Sequence, residues 1–221
     1  KRKRERERER KEEKEEMADS KADSDAQFDE EGKKILSDEQ QDIYSALFGK
    51  YTNLSPVWRN EATGGIVFVG NQSAAQDKNL LLEKGIRNVV NCTSNMTNFH
   101  EEDDQFTYFR FDTCKAMHQY AVNRDELRPN HEQVLVNYTP VFEFIEGVIN
   151  NGGNVLVHCL AGAHRAGSTG IACLMYFGGY GAAEATREAK KARPIISPIG
   201  FFAQYLDDLE VALKKKQKQQ K

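Results

Sequence analysis

Residues 155–170 read VLVHCLAGAHRAGSTG, and they join three kinds of local structure. The apolar run at 155–157 predicts a short buried strand, and the small and apolar residues after Arg165 predict a helix. Between the two lies a loop that starts with Cys159 and has Gly162 in its middle. Such a loop can turn successive backbone N–H groups toward one centre, while the following helix directs its positive end to the same place. The stretch therefore predicts a binding site for an oxyanion such as phosphate.

Two side chains of this loop carry the predicted chemistry. Arg165 can donate two parallel N–H groups to phosphate oxygens, which a lysine cannot do. Cys159 lies at the start of the helix, among N–H dipoles and near that guanidinium, and this setting favours the thiolate form of its sulfur. We therefore expect Cys159 to act as a nucleophile beneath a bound phosphate.

His158, Cys159 and Arg165 form the pattern His-Cys-(five residues)-Arg. This pattern resembles the signature of the protein tyrosine phosphatase superfamily, and the chain over about residues 60–213 is similar to its dual-specificity branch. The resemblance implies hydrolysis of phosphomonoesters through a phosphocysteine, with no metal or other cofactor. It also implies that the phosphate is bound by the loop itself, which comprises Leu160, Ala161, Gly162, Ala163, His164 and Arg165.

Two other interpretations fit the same residues less well. Cys159 could be a buried structural thiol and Arg165 a surface side chain, but the strand, glycine and helix around them are independent requirements of a phosphate loop. His158, Cys159 and His164 could bind zinc, but no second pair of ligands stands at metal spacing. The role that the resemblance gives to His158 is to fix the loop and the thiolate by hydrogen bonds.

The reaction also needs an acid, because a thiolate displaces an alkoxide at neutral pH only if the leaving oxygen is protonated. The resemblance implies an aspartate in the loop after the strand that precedes the long helix. Asp112 matches that position at the end of the predicted strand 106–112. The connection that follows, residues 113–133, is longer than in compact members, so Asp125 is an alternative acid. Asp112 could also be only a turn residue, since aspartate is common at strand ends.

The rest of the pattern predicts a single α/β domain whose central, mainly parallel twisted sheet is flanked by helices. Further strands are predicted at residues 64–70, 86–92 and 106–112, and helices at 72–84, 134–149, 166–177, 182–192 and 200–213. We divide the chain into a charged tail (1–21), a helical extension (22–54), the catalytic domain (55–213) and a Lys/Gln-rich tail (214–221). We expect disorder or a solvated helix in the first segment and disorder in the last.

Composition limits the partners and the compartment. The interleaved glutamates of residues 1–16 cancel most of the field of the lysines and arginines there, so no nucleic-acid partner is expected. No apolar run reaches membrane-spanning length, so no membrane partner is expected. The four cysteines are few and widely spaced, which favours a reducing compartment, either cytoplasm or nucleus.

The variable residues of the loop indicate the substrate class. Leu160, Ala161, Ala163 and His164 include no lysine, so the loop has no feature that selects a multiply charged inositol or an RNA 5′ end. Phosphorylated proteins are therefore the predicted substrates, at tyrosine and at serine or threonine. A phosphoinositide or RNA 5′-triphosphate phosphatase of the same fold is the alternative within this class. From another class, the chain could be a non-catalytic phosphopeptide-binding protein.

Cys92 ends the predicted strand 86–92, and that end should lie at the same sheet edge as Cys159. Parallel neighbours lie about 4.8 Å apart, which is within reach of a disulfide. Some members of the resembled family carry a cysteine at this strand end that traps the oxidised nucleophile, so Cys92 is a possible redox partner. It could equally be a small buried apolar residue.

Ala166 departs from the resembled family, which usually has Ser or Thr directly after the arginine. The resemblance gives that hydroxyl the role of helping the thiolate leave the phosphoenzyme. Here the nearest hydroxyls are those of Ser168 and Thr169. We therefore expect breakdown of the phosphoenzyme to limit turnover.

Overall fold

The computed structural model describes residues 52–116 and 131–219, and their strands form one five-stranded sheet. The strands are β1 (Leu54–Arg59), β2 (Ile66–Gly70), β3 (Ile86–Asn91), β4 (Thr107–Arg110) and β5 (Asn154–His158). Their order across the sheet is β1-β2-β5-β3-β4. β1 pairs antiparallel with β2, and the other pairings are parallel. The predicted α/β class with a mainly parallel sheet is confirmed.

The helices pack on both faces of this sheet. They are α1 (Gln72–Gln76), α2 (Lys78–Glu83), α3 (His131–Ile149), α4 (Arg165–Gly178), α5 (Ala182–Ala192) and α6 (Phe201–Gln219). A short helical turn also covers residues 113–116. Among the residues described, no helix combines the length and the apolar character that crossing a bilayer requires.

β5 lies in the middle of the sheet, and its side chains alternate between two apolar clusters. Val155 and Val157 belong to the larger cluster, which is covered by α3, α4, α5 and α6. Leu156 belongs to the smaller cluster, together with Leu81 of α2. Burial on both faces explains why β5 is apolar throughout, as is usual for a central parallel strand. The two cores therefore hold the end of β5 in place, and Cys159 is the next residue.

Several predicted boundaries differ from the structure. The single helix expected over 72–84 is two helices, because Asp77 ends α1 and its Oδ1 accepts the N–H of Leu80 at 2.9 Å as the cap of α2. α3 begins at His131, earlier than predicted. β1 was not predicted; it contains Pro56, which is tolerated because β1 is an edge strand.

The Lys/Gln-rich tail is the clearest correction. The disorder predicted for residues 214–221 is wrong over 214–219, because α6 continues to Gln219. Lysine and glutamine are good helix formers, and lysines near a helix C-terminus interact favourably with its dipole. The predicted segments 1–21 and 22–54 lie outside the described residues, except for the last three residues of the second.

Candidate active site

The carbonyls of the loop between β5 and α4 are bound from outside the loop. Leu160 O accepts the backbone N–H of Gln72, the first residue of α1, at 2.9 Å. Ala163 O accepts the backbone N–H of Ser197, in the segment between α5 and α6, at 3.1 Å. Two neighbouring parts of the domain therefore anchor the loop on either side of its central turn.

The two carbonyls in that turn bind one buried side chain. Ala161 O accepts a hydrogen bond from Nη2 of Arg193 at 3.1 Å, and Gly162 O accepts one from Nε of Arg193 at 3.0 Å. In a trans peptide the N–H points away from the C=O of the same unit. Four successive outward carbonyls therefore direct the N–H groups of residues 161–164 into the loop. Such a concave set of amides binds oxyanions.

The Cys159 sulfur lies within this loop and is almost fully buried, since the residue is 2% exposed. The N–H of Gly162 points at Sγ, with the nitrogen 3.3 Å from the sulfur. Gly162 has a φ of +68°, and a Cβ there would lie 2.5 Å from the carbonyl oxygen of Gly70. Glycine is therefore required both by the backbone conformation and by the space available.

Arg165 and His164 complete the loop in different ways. Arg165 is buried and is the first residue of α4, so the residue stands at the positive end of the helix that faces the loop. His164 Nδ1 lies 2.5 Å from Ser197 O, so this ring anchors the loop to the segment behind it. Sulfur, inward amides and helix end thus enclose one site that can bind a phosphate and attack it from the sulfur.

His158 is fully buried next to the nucleophile. Burial lowers the pKa of His158 to about 3, and the nearby cations Arg110 and Arg165 act in the same direction. His158 is consequently neutral at neutral pH. Both of its ring nitrogens are buried without a hydrogen-bond partner among the described residues, so the hydrogen bonds expected from His158 to the loop and the thiolate are not present there.

Asp112 lies at the carboxyl edge of the sheet, as does Cys159. The residues on either side of it bind the end of β3: the N–H of Phe111 donates to Asn91 O at 2.9 Å, and Oγ1 of Thr113 donates to Cys92 O at 3.0 Å. β3 is the neighbour of β5 in the sheet. Asp112 therefore stands two strands away from the strand that leads into the nucleophile.

The Asp112 carboxylate also has a local structural contact. Its Oδ1 accepts the backbone N–H of Lys115 at 2.9 Å, so it caps the helical turn over 113–116. The structure thus shows the turn contact expected of an aspartate at a strand end, and the role of Asp112 as the acid stays a prediction. Asp125, the alternative acid, lies outside the described residues.

Cys92 lies beside the end of β5. Asn91 is opposite His158 in the parallel pairing, and the N–H of Cys92 donates to His158 O at 2.8 Å. Cys92 Sγ donates to Thr169 Oγ1 at 3.5 Å. Burial raises the pKa of Cys92, and the nearby Cys159 adds to this effect. The structure brings the two residues to adjacent strand ends, and both are free thiols.

The hydroxyls near Ala166 make other contacts. Thr169 Oγ1 donates to Arg165 O at 3.0 Å, and Ser168 Oγ is buried with no hydrogen-bond partner among the described residues. Within the same part of the chain, the hydrogen bond to Cys159 Sγ comes from a backbone amide and not from either hydroxyl. The departure at Ala166 is therefore not compensated by a hydroxyl on the sulfur.

Sequence reasoning missed Arg193, although it identified the loop that this residue binds. Arg193 begins the segment Arg-Pro-Ile, and nothing in the sequence indicates what its guanidinium contacts. Gln72 and Ser197 anchor the loop through their backbone N–H groups. Because every residue except proline has such a group, the residue types at these positions could not have indicated the contacts.

Comparison with known proteins agrees with this geometry. The family model of the dual specificity phosphatase catalytic domain matches residues 67–210. Dual specificity protein phosphatase 1 of Arabidopsis thaliana is 26% identical over 147 residues, which cover 66% of this chain and 67% of that protein. Human dual specificity protein phosphatase 14 is 31% identical over 142 residues, which cover 64% of this chain. The chain spans 64% of the length of that human relative.

Solved structures show the same fold. The crystal structure of human DUSP28 superposes with a TM-score of 0.56 at 23% sequence identity. The superposition covers 74% of this chain and 97% of the DUSP28 chain. The sheet and helices that position the loop are therefore those of a known architecture.

Proposed function

The chain belongs to the dual specificity phosphatase family, and from this premise we propose that it hydrolyses phosphomonoesters on proteins through a covalent phosphocysteine. The observation that carries the proposal is the loop after β5. It has four successive carbonyls bound from outside, and the amide of Gly162 points at Cys159 Sγ from 3.3 Å. An inward cradle of amides above a sulfur nucleophile suits a transferable phosphoryl group.

In the first step the thiolate of Cys159 attacks phosphorus in line with the leaving oxygen. The S–P bond forms as the P–O bond breaks, and Asp112 gives its proton to the departing oxygen. The loop amides and the guanidinium of Arg165 hold the equatorial oxygens, where charge is spread in the transition state. Leaving group and enzyme thus separate without a free alkoxide.

In the second step water attacks the phosphocysteine. The Asp112 carboxylate now accepts the proton of that water, a P–O bond forms, and the S–P bond breaks to return the thiolate of Cys159. Inorganic phosphate leaves the loop. His158 takes no proton in either step, since burial lowers its pKa to about 3.

Phosphoproteins carrying phosphotyrosine and phosphoserine or phosphothreonine are the substrates we favour. The side chains available to distinguish substrates in the loop are mostly small or apolar, and His164 is bound to Ser197 O. The loop contains no lysine that could attract a multiply charged headgroup or an RNA 5′-triphosphate. We further propose that the protein acts in the cytoplasm or nucleus, because its four cysteines are few and widely spaced, as is usual in a reducing compartment.

The experiment that tests this proposal is hydrolysis of an aryl phosphate by the full chain, with and without chelator. We expect metal-independent turnover that vanadate abolishes. Cys159→Ser should remove turnover and keep affinity for a phosphopeptide, while Cys173→Ser, which changes a buried thiol of α4, should keep both.

Two results would redirect the proposal. A folded, reduced wild type that binds phosphopeptides without turning over aryl phosphates would be a binding protein. A strong preference for phosphoinositides or RNA 5′-triphosphates over phosphopeptides, measured as kcat/KM, would contradict the protein substrate and keep the cysteine chemistry.

A further inference from the structure

Arg193 is a charged side chain sealed inside the domain. It follows directly after α5, and only 1% of the residue is exposed. A buried guanidinium is tolerated only where its charge and N–H groups are satisfied, because removing it from water is costly. The hydrogen-bond partners that offset this cost in free energy indicate the role of Arg193.

Its partners include backbone carbonyls of two distant parts of the chain. Nε donates to Gly162 O at 3.0 Å and Nη2 donates to Ala161 O at 3.1 Å. Nη1 donates to Thr52 O at 2.6 Å, just before β1. The rigid fork of an arginine can bind two adjacent carbonyls at once, which the single ammonium of a lysine cannot do.

Both loop carbonyls belong to peptide units whose N–H groups face the candidate phosphate site. Holding Ala161 O outward turns the N–H of Gly162 inward, and that N–H points at Cys159 Sγ. Holding Gly162 O outward turns the N–H of Ala163 inward in the same way. Without these contacts each peptide could rotate and direct a carbonyl oxygen, which repels anions, into the site.

The turn has no room for a side chain at Gly162, where the loop lies against Arg193. A Cβ on Gly162 would lie 2.5 Å from Gly70 O and 2.9 Å from Nη2 of Arg193. The loop thus packs directly on the guanidinium at its most constrained residue.

We propose that Arg193 is a positioning residue that holds the phosphate loop in its anion-binding form without touching the phosphate itself. The inference rests on the proposed function only in that the loop binds phosphate. It applies equally to a catalyst and to a protein that binds phosphopeptides without turnover. Thr52 provides a third anchor, so the guanidinium ties the loop to the chain that enters β1.

The test compares Arg193→Lys and Arg193→Ala with a matched control in α5, the helix that ends just before Arg193. Arg187→Ala removes an exposed arginine of α5 and should leave every property unchanged. Binding of inorganic phosphate or tungstate to the full chain is measured by calorimetry, which needs no turnover. Folding is followed by near-UV circular dichroism and thermal melting, and kcat and KM are measured separately.

We expect roughly tenfold to a hundredfold weaker phosphate binding in both Arg193 variants, the loss expected for hydrogen bonds from a charged donor. KM should rise because the bound substrate loses contacts with these amides, and kcat should fall because the amides bind the transition state more strongly than the substrate. Guanidinium ion at low millimolar concentration should restore part of the phosphate affinity of Arg193→Ala and have no such effect on Arg187→Ala. If Arg193→Ala does not fold, Arg193→Lys carries the test alone.

Two outcomes would overturn the proposal. Folded Arg193→Lys that binds phosphate within twofold of wild type shows that the clamp does not set the loop. A lower melting temperature with unchanged phosphate affinity at low temperature shows a purely structural role. Failure of the proposed function is a different result: wild type would bind phosphate and not hydrolyse esters, and the Arg193 comparison would still be measured on binding.

Discussion

The buried imidazole of His158 should make the domain sensitive to mild acid. Burial is the main cause that lowers the pKa of His158 from about 6.5 to about 3, with Arg110 and Arg165 contributing in the same direction. In the unfolded chain the ring is exposed and titrates near its ordinary value. Between these two values the unfolded state binds a proton that the folded state does not.

The sign and the size of the effect follow from this difference. The folded pKa is the lower one, so the stability contribution is complete above about pH 6.5 and is lost as the pH falls toward about 3. Each unit below the unfolded pKa costs about 1.4 kcal/mol, so at pH 4.5 the loss in the free energy of unfolding is about 3 kcal/mol. For a domain of this size that is a large share of the total stability.

Urea unfolding at pH 7.5 and pH 4.5 measures this loss. Trp58 is the only tryptophan in the chain and packs on Phe177, with ring centroids 5.3 Å apart, so its fluorescence reports unfolding. The wild type should lose about 3 kcal/mol more between the two pH values than His158→Asn does. Equal losses in wild type and His158→Asn would refute the reasoning.

Three further predictions concern the reaction. Asp112→Ala should lower kcat/KM, which reports the first step, by roughly two to four powers of ten for alkyl phosphates and by less for activated aryl phosphates; if Asp125→Ala behaves this way instead, Asp125 is the acid. Rapid mixing should show a burst, and Ala166→Ser should raise the steady rate; no burst and no gain would mean that phosphoenzyme breakdown is not limiting. Peroxide should oxidise Cys159 to a sulfenic acid, which the thiol of Cys92 converts to a disulfide with loss of water. Inactivation should then be reversible by added thiol in wild type and irreversible in Cys92→Ser, and equal recovery of the two would contradict the protection.

The centre of the sheet and the phosphate loop could be predicted because their signals are local. The apolar run at 155–157 and the small residues after Arg165 specify a strand and a helix within a few positions, and Gly162 is required where the loop has a positive φ. The strand at 155–157 could be predicted without knowing that its side chains alternate between two apolar clusters. Each residue of the run had only to be apolar.

Contacts between distant positions could not be predicted. The hydrogen bonds of Arg193 span 31 and 32 positions to the loop and 141 positions to Thr52, and nothing in the spacing of these residues indicates them. The predictions for the break at Asp77 and for residues 214–219 were wrong for another reason. An aspartate can continue a helix or cap a new one, and a lysine-rich segment can be a solvated tail or a helix end, so the sequence permits both in each case.

The central claim is that phosphate passes through a covalent bond to Cys159. The most direct measurement is acid quenching of the full chain during turnover of a phosphopeptide, followed by mass spectrometry of the peptide that contains residues 155–170. We predict one phosphoryl group on Cys159 in wild type, a larger labelled fraction when breakdown is slowed by Asp112→Ala with an aryl phosphate, and none in Cys159→Ser. Turnover with no label on Cys159, or with the label on His158 or His164, would contradict the mechanism.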